Sequence, residues 1–212
     1  MIVFIQARSN SKRFDKKVLK IIYGLPLIIH VVNNVKKSKS VKDIIVATSN
    51  NSLDNNLIKL LKNFKIRFFR GELENVVLRF VRLAMKIKCK YFMRISGDSP
   101  LIDSKIIEYA IKIHKKNKNF DIITNVFPRT FPKGQSVEII KVQILKDYIN
   151  KMSKSDLEHV TRYFYKNSSK FKIKNFKSKN KKKIMKLSVD TISDFIKIKK
   201  KIDKRKFLNF GL

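Results

Sequence analysis

Hydrophobic and polar positions follow two alternating patterns through the first 125 residues of the chain. Short apolar runs bounded by polar residues are typical of buried strands, and apolar residues three or four positions apart are typical of amphipathic helices. The runs predict strands at residues 2–6, 43–48, 66–70, 91–96 and 120–124, and the helical spacing predicts helices at 27–37, 53–64, 75–87 and 104–116. Because strands and helices alternate, the pattern indicates an α/β fold with a mainly parallel sheet.

The pattern changes after Asn125, where a turn-rich stretch carries Pro128, Pro132 and Gly134. Further strands are predicted at residues 136–140, 171–176 and 184–189, with the lysine-rich segment 177–183 as a solvated hairpin loop. We interpret residues from about 125 to 180 as an insertion, for acceptor binding and dimer contact, within one domain that spans residues 1–212.

Two sequence segments have the spacing of a helix capping box, in which a Ser or Thr precedes an acidic residue by three positions. Ser155 and Glu158 predict a helix that begins there and continues through Tyr165. Thr191 and Asp194 predict the start of the last helix.

The length of 212 residues fits one well-buried α/β domain and is short for two ordinary ones. Cys89 is the one cysteine, which excludes an internal disulfide and a cysteine-rich metal site and fits a cytoplasmic protein. We interpret it as a small core residue. The N-terminal apolar run is too short for a secretory signal or a membrane span, so no membrane insertion is expected.

A formal net charge of +34 would attract phosphate polymers at low salt. However, Lys, Ile and Asn are abundant together, as expected from a coding bias toward AT-rich codons, so most lysines are interpreted as solvated surface. Tyr163, Phe164 and Tyr165 cannot share one helix face, and part of this trio must belong to the core. Nucleic acid is therefore not the primary partner that the sequence favours.

A small, polar and cationic segment, residues 6–17, follows the first predicted strand. Small residues let backbone N–H groups approach a phosphate, and ligands bind where strands of an α/β sheet end. The segment combines small residues with fixed positive charge, in Ala7, Arg8, Ser9, Ser11, Arg13 and Lys17. It predicts a phosphate-binding loop, although a cationic surface turn can have the same composition.

Two apolar runs end in an aspartate, Asp98 and Asp190. Hard divalent cations such as Mg²⁺ take one or two carboxylates plus phosphate oxygens. Asp98 therefore suits a metal shared with a nucleotide, and Asp190 could supply the second carboxylate. The alternatives are that Asp98 orders its turn and that Asp190 fixes the helix entry beside Thr191.

Five segments appear in a fixed order along nearly the whole chain, and together they carry a resemblance. They are Gln6, Ala7, Arg8, Ser11, Arg13 and Lys17; Phe69, Arg70, Gly71, Asn75, Val76 and Arg79; Gly97, Asp98 and residues 100–103; residues 158–161; and Val189, Asp190, Thr191 and Asp194. The set resembles the cytidylyltransferases that activate acidic sugars, the acylneuraminate and 3-deoxy-manno-octulosonate (KDO) family, particularly its spore-coat-polysaccharide-like branch.

The resemblance implies a three-layer αβα sandwich of the nucleotide-diphospho-sugar transferase type, usually a homodimer. It implies that CTP and an acidic sugar are converted to a CMP-sugar and pyrophosphate, for surface polysaccharide or glycan synthesis. The nucleotide-binding residues that it implies are Ala7, Arg8, Ser11, Arg13, Lys17, Arg70 and Gly71. Arg13, Lys17 and Asp98 would be catalytic, and Asp98 and Asp190 would bind Mg²⁺.

The residue types fit this chemistry. In nucleotidyl transfer a sugar hydroxyl attacks the α-phosphorus in line, so the enzyme positions the reactants and stabilises charge on the departing pyrophosphate. A cationic loop and a carboxylate-held metal supply those functions, and no covalent nucleophile is required.

The chain departs from the family pattern in two segments, with Asp15-Lys16-Lys17 where relatives commonly have Pro-Gly-Lys and residues 134–138 where the spore-coat branch often has Gly-Leu-Asp-Val-Glu. Lys16 stands where relatives commonly have Gly, which makes the loop backbone less permissive. Ser136 replaces an acidic residue that is frequent in the spore-coat branch, a change expected to concern the acceptor.

Gln135, Glu138 and His159 are the candidate acceptor residues. Exposure at a strand edge would also explain Gln135 and Glu138. A partly buried helix histidine beside a capping Glu158 would also explain His159. Alternative functions are the same fold with another nucleotide or acceptor, a catalytically degenerate relative and, less favoured, a basic nucleic-acid-binding protein.

Overall fold

The computed structural model describes residues 1–11, 13–179 and 185–203, and it contains one large sheet, a two-stranded ribbon and eight α-helices in those residues. The strands are β1 (Ile2–Gln6), β2 (Ile21–Ile22), β3 (Leu25–Pro26), β4 (Asp43–Ser49), β5 (Phe68–Gly71), β6 (Tyr91–Ser96), β7 (Ile122–Thr124), β8 (Glu138–Lys141) and β9 (Ile173–Asn175). The helices are α1 (Leu27–Lys36), α2 (Asn55–Asn63), α3 (Val76–Lys86), α4 (Ser104–Lys116), α5 (Val142–Tyr148), α6 (Lys154–Glu158), α7 (Arg162–Lys166) and α8 (Ile192–Asp203).

The seven-stranded sheet has the order β5-β4-β1-β6-β8-β7-β9. Its strands are parallel except for β8, which lies antiparallel between β6 and β7. The predicted α/β fold with a mainly parallel sheet is therefore confirmed. Because β8 runs the opposite way, its first residue lies at the same edge as the last residues of β6 and β7.

Two apolar clusters cover the two faces of the sheet, because successive strand residues point to opposite sides. Val3 and Ile5 of β1 pack in the cluster that contains residues of α1, α2, α4 and α8. Phe4 packs in the other cluster, with residues of α3, α5 and α7, and its ring stacks on Phe92 at 4.4 Å between centroids. The result is a helix-sheet-helix sandwich.

The helix predicted from Ser155 through Tyr165 is wrong. Ser153 is the N-cap, and its side chain and that of Asp156 form the capping box of α6. The chain then breaks at His159, whose φ is −105° and ψ is 47°, before α7 begins. The box at Thr191 and Asp194 is confirmed, since the Asp194 carboxylate accepts the N–H of Thr191 at 3.0 Å and Thr191 Oγ1 accepts the N–H of Asp194 at 3.2 Å.

Several predicted strands differ from the observed ones. Ile66 and Arg67 precede β5, because Ile66 still donates its N–H to Leu61 of α2. The strands predicted at 120–124, 136–140 and 171–176 are β7, β8 and β9, and each is displaced or shortened at its ends. Of the strand predicted at 184–189, residue 184 lies outside the described residues and the rest makes one isolated bridge, between Lys133 and Lys186.

The segment before Asp190 is held against the β6 end of the sheet by Gly134. This glycine has a φ of +98°, and a Cβ atom there would lie 2.4 Å from the backbone of Leu187. Val189 then donates its N–H to the carbonyl oxygen of Asp98 at 2.9 Å. Asp190 thus reaches Asp98 through a close backbone approach. Of the loop predicted at 177–183, residues 180–183 lie outside the described part of the chain.

Within the described ranges, no helix combines the length and apolar character needed to cross a bilayer.

Candidate active site

The ends of β1 and β6 approach each other closely at the carboxyl edge of the sheet. Gly97 follows β6 and donates its N–H to Gln6 at 2.8 Å, and a Cβ atom on Gly97 would lie 2.8 Å from the Ala7 side chain. The loop after β1 and the turn that carries Asp98 are therefore neighbours, as the sequence predicted for strand ends in a parallel sheet.

The loop after β1 is closed by a hydrogen bond from the Lys16 N–H to the Ser9 carbonyl oxygen, at 3.0 Å. Lys16 has left-handed backbone angles, with φ 51° and ψ 28°, and a 3₁₀ turn begins at Lys17. A residue with a side chain pays for this conformation, which glycine adopts freely. The departure seen in the sequence thus falls at a loop position where glycine has a physical advantage.

Lys17 joins the two predicted metal-binding carboxylates. Its Nζ lies 2.8 Å from Asp98 Oδ2 and 3.3 Å from Asp190 Oδ1, and it donates to the Val189 carbonyl oxygen at 2.8 Å. The Lys17 side chain is only 12% exposed, so this contact is well shielded from water. The structure therefore places three of the predicted site residues, from distant parts of the chain, around one point.

Asp190 is surrounded by further positive charge. Lys186 lies 2.9 Å from its Oδ2 and Arg13 lies 3.3 Å from its Oδ1. Burial alone would raise the pKa of Asp190, but hydrogen bonds and charges from Lys186 and Lys17 outweigh it and lower the pKa below its ordinary value. Asp190 is thus ionised at neutral pH.

A cavity of about 390 Å³ opens between this cluster and α6. Ala7, Arg8 and Ser11, three of the predicted nucleotide-binding residues, line it together with Arg13, Lys17, Asp98 and Asp190. Glu158 closes one side by an ion pair with Arg8 at 2.9 Å. The interpretation of Glu158 as a capping residue is wrong, since it is the last residue of α6.

Arg70 and Gly71 are not among the residues that line this cavity. The Arg70 guanidinium instead donates to the carbonyl oxygens of Ser49 and Asn51, at 3.0 and 2.9 Å. Gly71 lies beneath Arg79, because a Cβ atom on Gly71 would lie 2.8 Å from Arg79 Cγ. The Arg70 guanidinium is thus bound by backbone oxygens at and just after the end of β4 and Gly71 packs against Arg79, and the assignment of both residues to the base site stays a prediction.

Arg79 is a cavity residue that the site prediction missed, although the sequence resemblance included it. It is 1% exposed and donates to the carbonyl oxygens of Glu72 and Leu73. Burial lowers the pKa of Arg79 to about 10, and the nearby charge of Asp54 opposes that shift. Its place within the apolar run from Val76 to Val81 at the start of α3 was the available signal.

A second cavity, of about 630 Å³, lies beside the first and shares Ser96, Asp98 and His159 with it. Glu138, the first residue of β8, is 3% exposed and pairs with Arg94 across the strands. Its other oxygen accepts the Tyr165 hydroxyl at 2.6 Å. Glu138 is thus a buried cavity residue, and the alternative of solvent exposure at a strand edge is wrong.

Gln135 does not reach the second cavity. It is fully buried, its Oε1 accepts the Asp103 N–H at 2.9 Å, and its Nε2 donates to the Leu101 carbonyl oxygen at 2.6 Å. The interpretation of Gln135 as an acceptor residue, and its alternative as an exposed strand residue, both conflict with these contacts. The oxygen and the nitrogen of the Gln135 side-chain amide are therefore both hydrogen-bonded to the loop before α4.

His159 lies at the break between α6 and α7, where it is exposed and borders both cavities. It is therefore not the partly buried helix residue of the alternative interpretation. The neighbouring aromatic trio is packed: Phe164 is fully buried, Tyr163 contacts the Phe171 ring, and Tyr165 stacks on Phe127 at 4.8 Å. This packing leaves no row of aromatic faces free to stack on bases.

The cytidylyltransferase family model matches residues 2–210 of the chain. The chain belongs to the cytidylyltransferase family. The Bacillus subtilis spore coat polysaccharide biosynthesis protein SpsF is 26% identical over 208 residues, which are 94% of this chain and 85% of that protein. The 3-deoxy-manno-octulosonate cytidylyltransferase of Wigglesworthia glossinidia brevipalpis is 34% identical over 120 residues, 55% of this chain and 48% of that protein.

A solved cytidylyltransferase from Leptospira borgpetersenii superposes with a TM-score of 0.91 at 26% identity, and the match covers all of this chain and 89% of that one. These comparisons confirm the resemblance and the sandwich of the nucleotide-diphospho-sugar transferase type. They also establish that the chain is of an enzyme family, in which the cavity at the end of β1 is a candidate active site.

Substitution of Lys16 tests whether this cytidylyltransferase carries a strained loop. Lys16→Gly relieves the left-handed strain but adds chain entropy to the unfolded state, so we expect it to stabilise the fold by at most about 1 kcal/mol. Activity should be unchanged or higher. Thermal unfolding of Lys16→Gly beside Lys16→Ala, which removes the same charge but keeps a Cβ atom, separates strain from charge. A Gly variant less stable than the Ala variant would contradict the argument.

Proposed function

We propose that this protein transfers CMP from CTP to a hydroxyl group of an acidic sugar and releases pyrophosphate. One observation carries the proposal: two adjoining cavities share Asp98, and one is lined by a cationic loop while the other is open to a second substrate. Such a junction lets a hydroxyl approach a held phosphate from the opposite side to the leaving group. CTP as the nucleotide is inferred from the family, and the arrangement of the two substrates is inferred from the two cavities.

The donor set at the junction fits a divalent metal ion. Asp98 and Asp190 each place an oxygen within 3.3 Å of the single ammonium group of Lys17, so a small cation in the same region could contact both. Two carboxylates completed by phosphate oxygens are typical of Mg²⁺ sites in nucleotide enzymes. When bound there, the ion would supply Lewis-acid stabilisation of negative charge on the phosphate oxygens.

The loop residues would hold the triphosphate. Arg13 is 70% exposed at the cavity mouth, where it can pair with terminal phosphate oxygens, and Lys17 points its ammonium group at the junction. The acceptor oxygen forms a bond to the α-phosphorus, the bond from that phosphorus to the oxygen that bridges to the β-phosphate breaks, and the hydroxyl proton passes to solvent water. Arg13 and Lys17 would stabilise the charge that develops on the departing pyrophosphate.

The second cavity favours an anionic acceptor. Arg94, Arg129, Lys133, Arg162 and Lys166 line it, and Glu138 is already paired with Arg94. Arg129 is half-buried and donates to the neutral Ser136 Oγ at 3.0 Å. Burial lowers the pKa of Arg129, while Glu138 and Tyr165 oppose that shift. A sugar carboxylate would compensate this partly desolvated charge.

Arg129→Met tests the acidic-sugar part of the proposal. We expect the KM for the sugar to rise at least tenfold, because a partly buried charge-assisted hydrogen bond contributes about 1.5–3 kcal/mol. The affinity for CTP should change less than about twofold, because Arg129 lies outside the nucleotide cavity. Arg67→Met removes an exposed arginine far from the site and serves as the control. An unchanged sugar KM would contradict the assignment.

Pyrophosphate release from CTP, measured with a panel of ulosonic and nonulosonic acids and a divalent cation, tests the function itself. We expect release that depends on one acid, on CTP and on the cation. Neutral sugar phosphates and UTP, ATP and GTP serve as comparison substrates. Release with a different nucleotide, or with a neutral acceptor alone, would contradict the proposal, and CTP binding without release would indicate a degenerate relative.

Three expectations from the sequence stay predictions: Mg²⁺ as the physiological ion, a homodimer, and a cytoplasmic location. Light scattering on the purified protein would determine its oligomeric state.

A further inference from the structure

We infer that Asp54 is a positioning residue that fixes the nucleotide-binding loop to the sheet. The inference rests on the proposed function, since the loop matters only if it binds CTP. Asp54 ends the 3₁₀ turn Ser52–Asp54, which follows β4. It is 1% exposed and does not line either cavity, so it contacts no substrate there.

The Asp54 carboxylate joins two segments. Oδ1 accepts the N–H of Ser9 in the loop after β1, at 2.5 Å. Oδ2 accepts the Thr48 hydroxyl at 2.8 Å and the Ser49 N–H at 3.0 Å, and it also accepts the Ser49 hydroxyl. Burial would raise the pKa of Asp54, but these donors outweigh it and lower the pKa. The loop is therefore held by a carboxylate that is itself fixed by the end of β4.

A backbone hydrogen bond connects Ser9 to the far end of the loop. The Ser9 carbonyl oxygen accepts the Lys16 N–H at 3.0 Å, and Lys17 follows with its ammonium group between Asp98 and Asp190. A shift of Ser9 would therefore move the closure of the loop and the starting point of the Lys17 side chain. Loops held in their binding geometry bind more tightly because less ordering is needed on binding.

The charge of Asp54 also acts on Arg79, the buried cation of the nucleotide cavity. It opposes the desolvation that lowers the pKa of Arg79. One buried carboxylate thus acts on both the loop and Arg79, and both line the cavity. Asp54 is buried, so water cannot take the place of its carboxylate. Loss of the carboxylate should therefore weaken nucleotide binding.

The test measures CTP affinity by calorimetry in wild type and in Asp54→Asn, at a temperature well below unfolding. We expect the Kd for CTP to rise about tenfold or more, since small displacements of positioning groups have effects of this size, while kcat at saturating CTP changes much less. A wild-type protein that binds no CTP would overturn the proposed function, whereas a Kd in Asp54→Asn within about twofold of wild type would overturn the role of Asp54 alone.

Two controls separate positioning from general stability. Glu108→Gln alters another carboxylate that accepts a Ser hydroxyl, at 2.7 Å, and a backbone N–H, at 2.9 Å, but lies away from the cavities. Ser38→Ala removes the buried hydroxyl that donates to Glu108, and Ser38 is not among the residues that line either cavity. Both variants should bind CTP as wild type does, and weakened binding in either would overturn the assignment.

A measurement on wild type covers the case in which Asp54→Asn does not fold. The Ser9 amide lies outside the strands, yet it should exchange slowly with solvent because Asp54 accepts it in a buried position. Hydrogen exchange by NMR reads this amide directly, and the amide of the exposed residue Arg13 in the same loop serves as the comparison. Fast exchange at Ser9, equal to that at Arg13, would overturn the inference.

Discussion

Lys17→Met should reduce kcat/KM for CTP by about 10²- to 10³-fold, the size of effect expected when one preorganised donor to developing phosphate charge is lost. The ammonium group contacts Asp98 and Asp190 and lies at the junction of the two cavities. Initial rates of pyrophosphate release measure the effect. Lys16→Met, which removes the adjacent and 53% exposed lysine, is the matched control and should have a small effect. Similar losses in both variants would contradict the assignment to Lys17.

The same substitution should also alter stability, because it leaves two shielded carboxylates without their shared cation. We expect a loss of about 1–3 kcal/mol at pH 7. In wild type the pKa of Asp190 is lowered, so its pairing stabilises the fold above the unfolded pKa and is lost as the pH falls. The difference between Lys17→Met and wild type should therefore shrink as the pH falls below about 4. Urea unfolding at pH 7 and pH 3.5 measures it, and a pH-independent difference would contradict the ion-pair argument.

Asp98→Asn should reduce turnover by at least about 10³-fold with the fold intact, because the amide keeps the shape but loses the charge that would hold a cation. Ser96 and Ser99 hydroxyls, at 2.7 and 3.2 Å from Oδ1, can still bond to the amide oxygen. Pyrophosphate release and circular dichroism on one preparation measure activity and fold together.

Asp103→Asn is the matched control for Asp98→Asn. Asp103 is in the same connection but caps α4 by accepting the Lys105 N–H at 2.8 Å, and asparagine caps helices about equally well. It should retain nearly full activity. An Asp98→Asn protein with more than about a tenth of wild-type turnover would contradict a metal-binding role for Asp98.

The central sheet could be predicted because its strands are apolar runs with clear polar boundaries. β1, β6 and α4 have the predicted bounds, and the site at the ends of β1 and β6 follows from parallel topology. The predicted capping box of α6 begins at Ser155, two residues after the observed N-cap Ser153, because both serines precede an acidic residue by three positions. Only packing decides between two such signals.

The contacts of the cavity walls could not be predicted for a different reason. Gln135 and Glu138 are polar residues three positions apart. The Gln135 side chain forms hydrogen bonds with backbone groups near α4, whereas Glu138 lines the second cavity. Asp190 meets Asp98 through a bridge and a close backbone approach instead of a strand pairing. Asp54 gave no motif at all, because its partners are backbone and hydroxyl groups that residue types do not reveal.

A crystal structure with CTP and Mn²⁺ tests the central claim most directly, because anomalous scattering locates the ion without assumptions about the ligand. The account predicts one ion bound directly by carboxylate oxygens of Asp98 and Asp190, with the triphosphate against Arg13 and Lys17. An ion bound elsewhere, or a nucleotide that leaves the loop at residues 7–17 untouched, would contradict it.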